Sequence, residues 1–63
     1  MPLAQITLLE GSDDDRKRAL IAGVTDAIAS SLDLAPEAVR VLLTEIPAAH
    51  WGVAGRSIKD RQA

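Results

Sequence analysis

A strand, a long helix and a second strand are indicated in that order along this sequence, with short connections, and this order leaves few possible folds. In the first segment, Leu3–Leu9, apolar side chains alternate toward one face, whereas residues 39–46 are apolar on both faces. Residues 12–32 between them place apolar side chains about every four positions, as an amphipathic helix does. Because crossovers between parallel strands are almost always right-handed, the sequence predicts a right-handed β-α-β unit with parallel strands, of the α/β (α+β) class.

The helix is predicted from the residues that begin it, the residues that end it and one apolar stripe. Ser12 is expected to be the N-cap, and Asp15 three residues later completes the pattern of a capping box. Acidic residues 13–15 would lie in the first turn, where negative charge complements the helix dipole. The helix is expected to end before Pro36, which cannot continue it, and residues 36–38 suit one short helical turn. The predicted stripe consists of Leu20, Val24, Ile28 and Leu32, joined by Ile21 and Ala27.

The C-terminal part is expected to add only a small element. Pro47 ends the second strand, and Gly52 and Gly55 follow at a spacing that is typical of a turn. The sequence therefore predicts a short hairpin or arm after the second strand. Since no repeat or linker divides the chain, residues 1–63 are expected to form a single domain.

A chain of this length buries too little surface to form a very stable monomer. Domains of about this size bury only some 60% of their unfolded surface and usually recruit disulfides, a metal or further copies. The sequence has no cysteine, and a lone His50 with scattered carboxylates does not make a structural metal site. Apolar residues make up 48% of the chain, more than a small monomer can hide. We therefore expect an obligate oligomer.

Charge and hydropathy exclude several classes of partner. Seven Lys and Arg against nine Asp and Glu give a net charge of −2, and one aromatic residue is present, which argues against nucleic-acid binding. No apolar run approaches the roughly 20 residues of a membrane span, and the N-terminus lacks the features of a signal peptide. A cytoplasmic protein without membrane partners is expected. No nucleotide-binding, nucleophile or metal-binding motif is present, so neither cofactor nor metal is expected.

Pro2 is the first of two residues that could carry chemistry. Proline lacks an N–H and is tolerated at the first position of a strand, so Pro2 could simply begin the first strand. The alternative is that Met1 is removed, which leaves a free secondary amine at the chain terminus. Such an amine can accept and donate a proton, provided that it is uncharged near neutral pH.

Arg40 is the second candidate, because the run VRVLL places a guanidinium among side chains that favour burial. An arginine there either pairs with a carboxylate, from Glu45, Glu10 or a neighbouring subunit, or faces an opening. The local sequence leaves both alternatives open. Near Pro2, the cation would lower the pKa of the terminal amine, bind a substrate carboxylate and stabilise an enolate oxygen.

Three segments carry a resemblance to a known family: PLAQITLLEG, AVRVLLTE and AHWGVAG. Their order and spacing match features of the 4-oxalocrotonate tautomerases, which have a similar N-terminal proline, a VRV strand and a histidine before an aromatic residue. The sequence thus resembles that family over nearly its whole length, from Pro2 to about Arg56.

The resemblance implies a β-α-β protomer that assembles into a hexamer, a trimer of dimers, without cofactor or metal. It implies that Pro2, once Met1 is removed, moves a proton in a 2-hydroxy-dienoate or related enol acid as general base and acid. Arg40 of a neighbouring subunit would bind the carboxylate and the 2-keto oxygen. Trp51 stands where the family has phenylalanine, as an apolar wall that also suits ordinary packing.

One departure concerns the substrate, because Ser12 occupies the position of a second family arginine that binds the far carboxylate of a dicarboxylate. A small carboxylate substrate with a single acid group therefore fits the sequence better, and Ser12 is a candidate substrate-binding residue only because it takes the place of that arginine. Two alternatives stay open. The chain could be one partner of a mixed hexamer, or it could add water to an unsaturated, even halogenated, acid with Glu10 or Glu45 as the activating group.

Overall fold

The computed structural model describes residues 1–61 and confirms the predicted β-α-β unit with parallel strands and a short C-terminal hairpin. Two additional elements, a second 3₁₀ turn and a short terminal helix, were not predicted. The elements are β1 (Leu3–Leu9), α1 (Asp14–Leu32), a 3₁₀ turn (Pro36–Ala38), β2 (Arg40–Ile46), a second 3₁₀ turn (Ala48–His50), β3 (Gly52–Val53), β4 (Arg56–Ser57) and α2 (Ile58–Arg61).

The two long strands pair in parallel over their full length, from Leu3 opposite Arg40 to Leu9 opposite Ile46. The N–H of Arg40 donates to the carbonyl of Pro2 at 3.0 Å, which extends the ladder at the N-terminal ends of both strands. The second strand begins at Arg40 rather than at the expected Val39. Val39 instead closes the first 3₁₀ turn by donating its N–H to the carbonyl of Pro36 at 3.1 Å.

The start of α1 differs from the prediction by one residue. Asp13, with extended backbone angles, is the N-cap, and its carboxylate accepts a hydrogen bond from the N–H of Arg16 at 2.8 Å. Ser12 lies before the cap, so the expected capping box is wrong. Both residue types cap helices well, but a carboxylate also interacts favourably with the helix dipole, which favours Asp13.

The position of the cap gives a stability prediction with a matched control. Asp13→Ala should lower the free energy of unfolding by about 1 kcal/mol, because it leaves the N–H of Arg16 without its acceptor. Ser12→Ala should change it by less than about 0.5 kcal/mol. Denaturant unfolding at one fixed protein concentration measures both effects. A larger loss for Ser12→Ala than for Asp13→Ala would contradict the assignment.

The helix covers one face of the sheet and leaves the other face open. The half-buried residues on the covered face are Ala4, Ile6, Leu8, Val41 and Leu43 from the strands, with Leu20, Val24 and Ile28 from α1. This confirms the centre of the predicted stripe, whereas Ile21, Ala27 and Leu32 are exposed. On the open face Leu3 and Leu42 are 54% and 51% exposed.

The β3–β4 hairpin turns through Ala54 and Gly55, whose φ angles are 54° and 82°. Positive φ at both central residues is the condition for a two-residue turn that matches strand twist, and glycine adopts it readily. The hairpin is followed directly by α2, and the N–H of Ile58 donates to the carbonyl of Trp51 at 2.8 Å. This bond ties the C-terminal segment to the residue that precedes the hairpin.

The protomer exposes more surface than a compact chain of its size. Its accessible surface is 4680 Å², compared with roughly 3,900 Å² expected for a monomer of this mass. Its radius of gyration is 14.9 Å, against about 10.6 Å for a compact domain, and its extents are 45 × 23 × 13 Å. Among residues 1–61, only Ala29 and Val39 are fully buried. This flat, open shape supports the expected oligomer.

None of the helices within residues 1–61 is long and apolar enough to span a membrane.

Candidate active site

Pro2 and Arg40 lie together at the N-terminal ends of the two parallel strands. Their main chains are joined by the hydrogen bond between the Arg40 N–H and the Pro2 carbonyl. Pro2 is half-buried, whereas Met1 before it is 85% exposed. With Met1 attached, the Pro2 nitrogen is a tertiary amide and has no basicity. Removal of Met1 would convert it to a secondary amine at this end of the sheet.

The Arg40 guanidinium is exposed and is held by main-chain carbonyls. One of its terminal nitrogens donates to the carbonyl of Glu37 at 2.7 Å and more weakly to that of Val39 at 3.4 Å. It forms no ion pair with a carboxylate of residues 1–61, so the alternative of pairing with Glu45 or Glu10 of the same chain is wrong. Since a guanidinium has five N–H donors, most of its donors stay available for a carboxylate.

Glu45 is already engaged elsewhere. Its carboxylate accepts a hydrogen bond from Nζ of Lys17 at 2.7 Å, which links β2 to α1, and Asp14 lies 3.8 Å from the same nitrogen. The hydrogen bond to Glu45 is the main cause that raises the pKa of Lys17 above its ordinary value. A carboxylate fixed in this way on the helix-covered face is poorly placed to activate water. The hydratase alternative therefore keeps only Glu10.

Trp51 lies at the other end of the sheet, beyond the C-terminal end of β2. Its N–H donates to the carbonyl of Ala48 at 3.4 Å and its carbonyl accepts from Ile58, so that its main chain is held on both sides. Ser12 also belongs to this end, in the exposed connection between β1 and α1. The structure therefore places Trp51 and Ser12 at one end of the sheet and Pro2 and Arg40 at the other.

A groove of about 450 Å³ lies at the Trp51 end and is lined by Thr7, Ile46, His50, Trp51 and Gly52. We call it the Trp51 groove. The sequence analysis did not find Thr7 and Ile46 as lining residues. The alternation of the strands contains the necessary signal, because Thr7 and Ile46 share the face that α1 does not cover.

The distance between the two ends decides how a complete site can form. A strand rises by about 3.3 Å per residue, so six steps along β1 separate its ends by roughly 20 Å. A small acid that contacts Pro2 and Arg40 cannot also reach Trp51 or Ser12 of the same protomer. A site that combines all four residues requires a second copy whose opposite end lies beside this one.

Comparison with known proteins identifies the family of the chain. A family model described as tautomerase enzyme matches residues 2–61. The 2-hydroxymuconate tautomerase of Stutzerimonas stutzeri is 49% identical over 59 residues, which cover 94% of each chain.

Two solved structures show the same fold. TomN, a 4-oxalocrotonate tautomerase homologue of the tomaymycin biosynthetic pathway, superimposes with a TM-score of 0.94 at 41% identity, over 97% of this chain and 94% of TomN. A heterohexameric 4-oxalocrotonate tautomerase from Chloroflexus aurantiacus superimposes with a TM-score of 0.90 at 35% identity, over 95% of this chain and 97% of its own.

Proposed function

The chain belongs to the tautomerase family and is an isomerase, and from this premise we propose that it moves a proton in a 2-hydroxy-dienoate or related enol acid. The Pro2 amine, freed by removal of Met1, is the general base and then the general acid. The observation that supports the proposal is that Pro2 and Arg40 lie at the same end of the sheet, where the Arg40 guanidinium is exposed and forms no ion pair with a carboxylate of residues 1–61.

The proposed reaction needs one proton relay. The uncharged amine of Pro2 takes the proton from the 2-hydroxyl of the enol, and the electron pair of the O–H bond forms the keto group. The conjugated double bonds shift, and the carbon at the far end of the system takes the proton back from the Pro2 ammonium. The amine is regenerated, and no cofactor is required to balance the step.

Arg40 has two roles in this proposal. Its guanidinium binds the substrate carboxylate and stabilises the negative charge that develops on the 2-oxygen. The same cation disfavours the ammonium form of Pro2 and so lowers the pKa of that amine below the usual range of an α-amine. An unperturbed α-amine is mostly protonated at neutral pH and would be a poor base.

A neighbouring protomer is expected to supply this guanidinium. Leu3 and Arg40 are register partners on the open face of the sheet, whereas Pro2, one position earlier, belongs to the alternate face. The open face is also where apolar side chains are left uncovered. We propose that six copies assemble as a trimer of dimers, so that each site draws residues from more than one chain.

The proposal is tested with protein whose N-terminus is defined by intact-mass measurement. Chains that have lost Met1 should accelerate the conversion of 2-hydroxymuconate or phenylenolpyruvate, whereas chains that keep Met1 should not, because their Pro2 nitrogen is an amide. Rates equal to the uncatalysed rates for both acids with processed protein would refute the proposal.

Native mass spectrometry should find six identical chains, and a requirement for a second chain type would support the mixed-hexamer alternative instead.

A further inference from the structure

The connection from α1 to β2, residues 33–39, is anchored at both of its ends. In the part of the chain that the structure describes, Ala29 and Val39 are the two fully buried residues, each 8% exposed. Val39 is the last residue of the connection, and the carbonyl of Ala29 accepts the N–H of Leu34 at 2.9 Å. A protomer with little complete burial therefore has it on either side of the segment that leads into Arg40.

The first 3₁₀ turn closes this connection with two hydrogen bonds. The N–H of Ala38 donates to the carbonyl of Ala35 at 3.0 Å, and the N–H of Val39 donates to that of Pro36 at 3.1 Å. Pro36 is the first residue of the turn, and its ring holds φ near about −65°, within the range of a 3₁₀ helix. Since proline has fewer conformations to lose, the turn forms at a lower cost in backbone entropy.

The carbonyl of Glu37 has no partner inside the turn, because the two bonds of the turn use the carbonyls of Ala35 and Pro36. The last carbonyls of a helical segment lack partners within it, and basic side chains often bond to them. Here Nη1 of Arg40 donates to the Glu37 carbonyl at 2.7 Å and more weakly to that of Val39 at 3.4 Å. The guanidinium is thus tied to main chain that the turn holds in place.

This hydrogen bond leaves one edge of the Arg40 guanidinium available. Nη1 is the nitrogen that is bonded to residues 1–61, whereas Nε and Nη2 lie on the other edge. The parallel N–H groups of Nε and Nη2 form a fork that can bind both oxygens of one carboxylate. A long side chain that is ordered before the substrate arrives also loses less conformational entropy on binding.

We propose that Pro36 and the main-chain carbonyl of Glu37 position Arg40 for substrate binding. The turn holds Nη1, so that Nε and Nη2 meet the substrate carboxylate in a fixed orientation. Neither group touches the substrate, and both act through Arg40. This inference rests on the proposed function and adds how an exposed arginine is oriented. Because Arg40 is expected to act in the site of a neighbouring protomer, the turn of one chain controls binding in the site of another.

Chemical synthesis of residues 2–63 offers a matched pair of variants, each with a free N-terminal proline. An ester in place of the peptide bond before Ala38 makes the Glu37 carbonyl a weaker acceptor and removes the Ala38 N–H. An ester before Val39 removes the equivalent N–H but leaves the Glu37 carbonyl in an amide. Each variant loses one hydrogen bond of the turn, and only the first weakens the bond to Arg40.

The kinetic comparison uses phenylenolpyruvate. The ester before Ala38 should have a kcat/KM about threefold to tenfold below that of the ester before Val39, as the weakening of one hydrogen bond allows. In chains that also carry Arg40→Ala, the two esters should agree within about 1.5-fold, because no guanidinium is left to position. Equal kcat/KM values in chains with Arg40, or a difference that persists with Arg40→Ala, would overturn the inference.

A second measurement does not depend on activity. With ¹⁵N-labelled arginine at position 40, the NMR order parameter of the Nε–H group should be about 0.8 in the assembled, unaltered chain. It should fall below about 0.6 in the ester before Ala38 and in Pro36→Gly, whose φ is no longer restricted, and stay high in the ester before Val39. A low value in the unaltered chain would overturn the inference, as would a high value in all the variants.

The two measurements separate this inference from the proposed function. If the unaltered synthetic chain converts neither phenylenolpyruvate nor 2-hydroxymuconate above the uncatalysed rate, the proposed function is refuted. The order parameters then still decide whether the turn holds Arg40. If the chain is active but the two esters do not differ, the proposed function stands and the positioning role is refuted.

Discussion

Pro2→Ala should lower kcat by about 10²-fold, in the range expected when a positioned general base is impaired. After processing, the variant still has a terminal amine, but this amine is primary and no ring restricts rotation about its N–Cα bond. The lone pair of the nitrogen is therefore no longer held in a fixed direction toward the enol. Steady-state rates with either enol acid, on protein of verified N-terminal mass, measure the effect.

The fold and the assembly of the Pro2→Ala variant can be checked separately from its activity. The contact of Pro2 with Arg40 runs through the Pro2 carbonyl, which alanine retains, and Pro2 donates no hydrogen bond of its own. The circular dichroism spectrum and the assembled mass should therefore match those of the unaltered protein. An unchanged rate in an intact assembly would reject the amine as the base.

Arg40→Ala should lower kcat/KM by about 10–150-fold, which corresponds to the loss of a hydrogen bond to a charged group worth roughly 1.5–3 kcal/mol. It should also shift the pH dependence. Without the guanidinium the charged form of Pro2 is less disfavoured, so the pKa of the amine rises and more of it is protonated at neutral pH. The acidic limb of the pH–rate profile should therefore move to higher pH.

The conservative variant separates the two roles of this residue. Arg40→Lys keeps the charge and should restore the pH profile, but it loses the bidentate geometry and should keep a raised KM. Because Arg40 is exposed and its guanidinium donates to the main-chain carbonyls of Glu37 and Val39 rather than to a carboxylate of residues 1–61, neither variant should unfold the protein. A normal pH profile in Arg40→Ala would contradict an electrostatic effect on Pro2.

Refolding Arg40→Ala chains together with Pro2→Ala chains should restore part of the activity, since some sites then receive both residues from different chains.

Periodicity and proline positions were sufficient to predict the β-α-β unit, its strands and its hairpin. The cap was misplaced because Ser12 and Asp13 are adjacent and both are good caps, so only the observed bond from Arg16 distinguishes them. Leu32 was assigned to the helix face that meets the sheet, yet it is the last residue of α1 and is 57% exposed. The four residues of α2 are too few to show a helical period.

The arrangement of the candidate site could be anticipated only in part, because it depends on the register of the two strands. Pro2, Arg40 and Trp51 could be selected from residue type and order, but their separation at two ends of one sheet follows from the parallel register. The groove formed by Thr7 and Ile46 depends on which face α1 leaves uncovered, and both faces of β2 are apolar in sequence. The pairing of Glu45 with Lys17 joins residues 28 positions apart, which no local pattern indicates.

The thinness of the protomer has a consequence for newly made chains. With 13 Å in its shortest dimension and complete burial of only Ala29 and Val39 among the described residues, an unassembled copy has little to oppose local opening. Proteases cleave chains at such locally unfolded segments, so an unassembled copy is degraded faster than an assembled one. When the rate of synthesis is lowered, the steady-state amount of enzyme should therefore fall by a larger factor than the rate itself. A weaker promoter should reduce the activity by a larger factor than it reduces the amount of transcript.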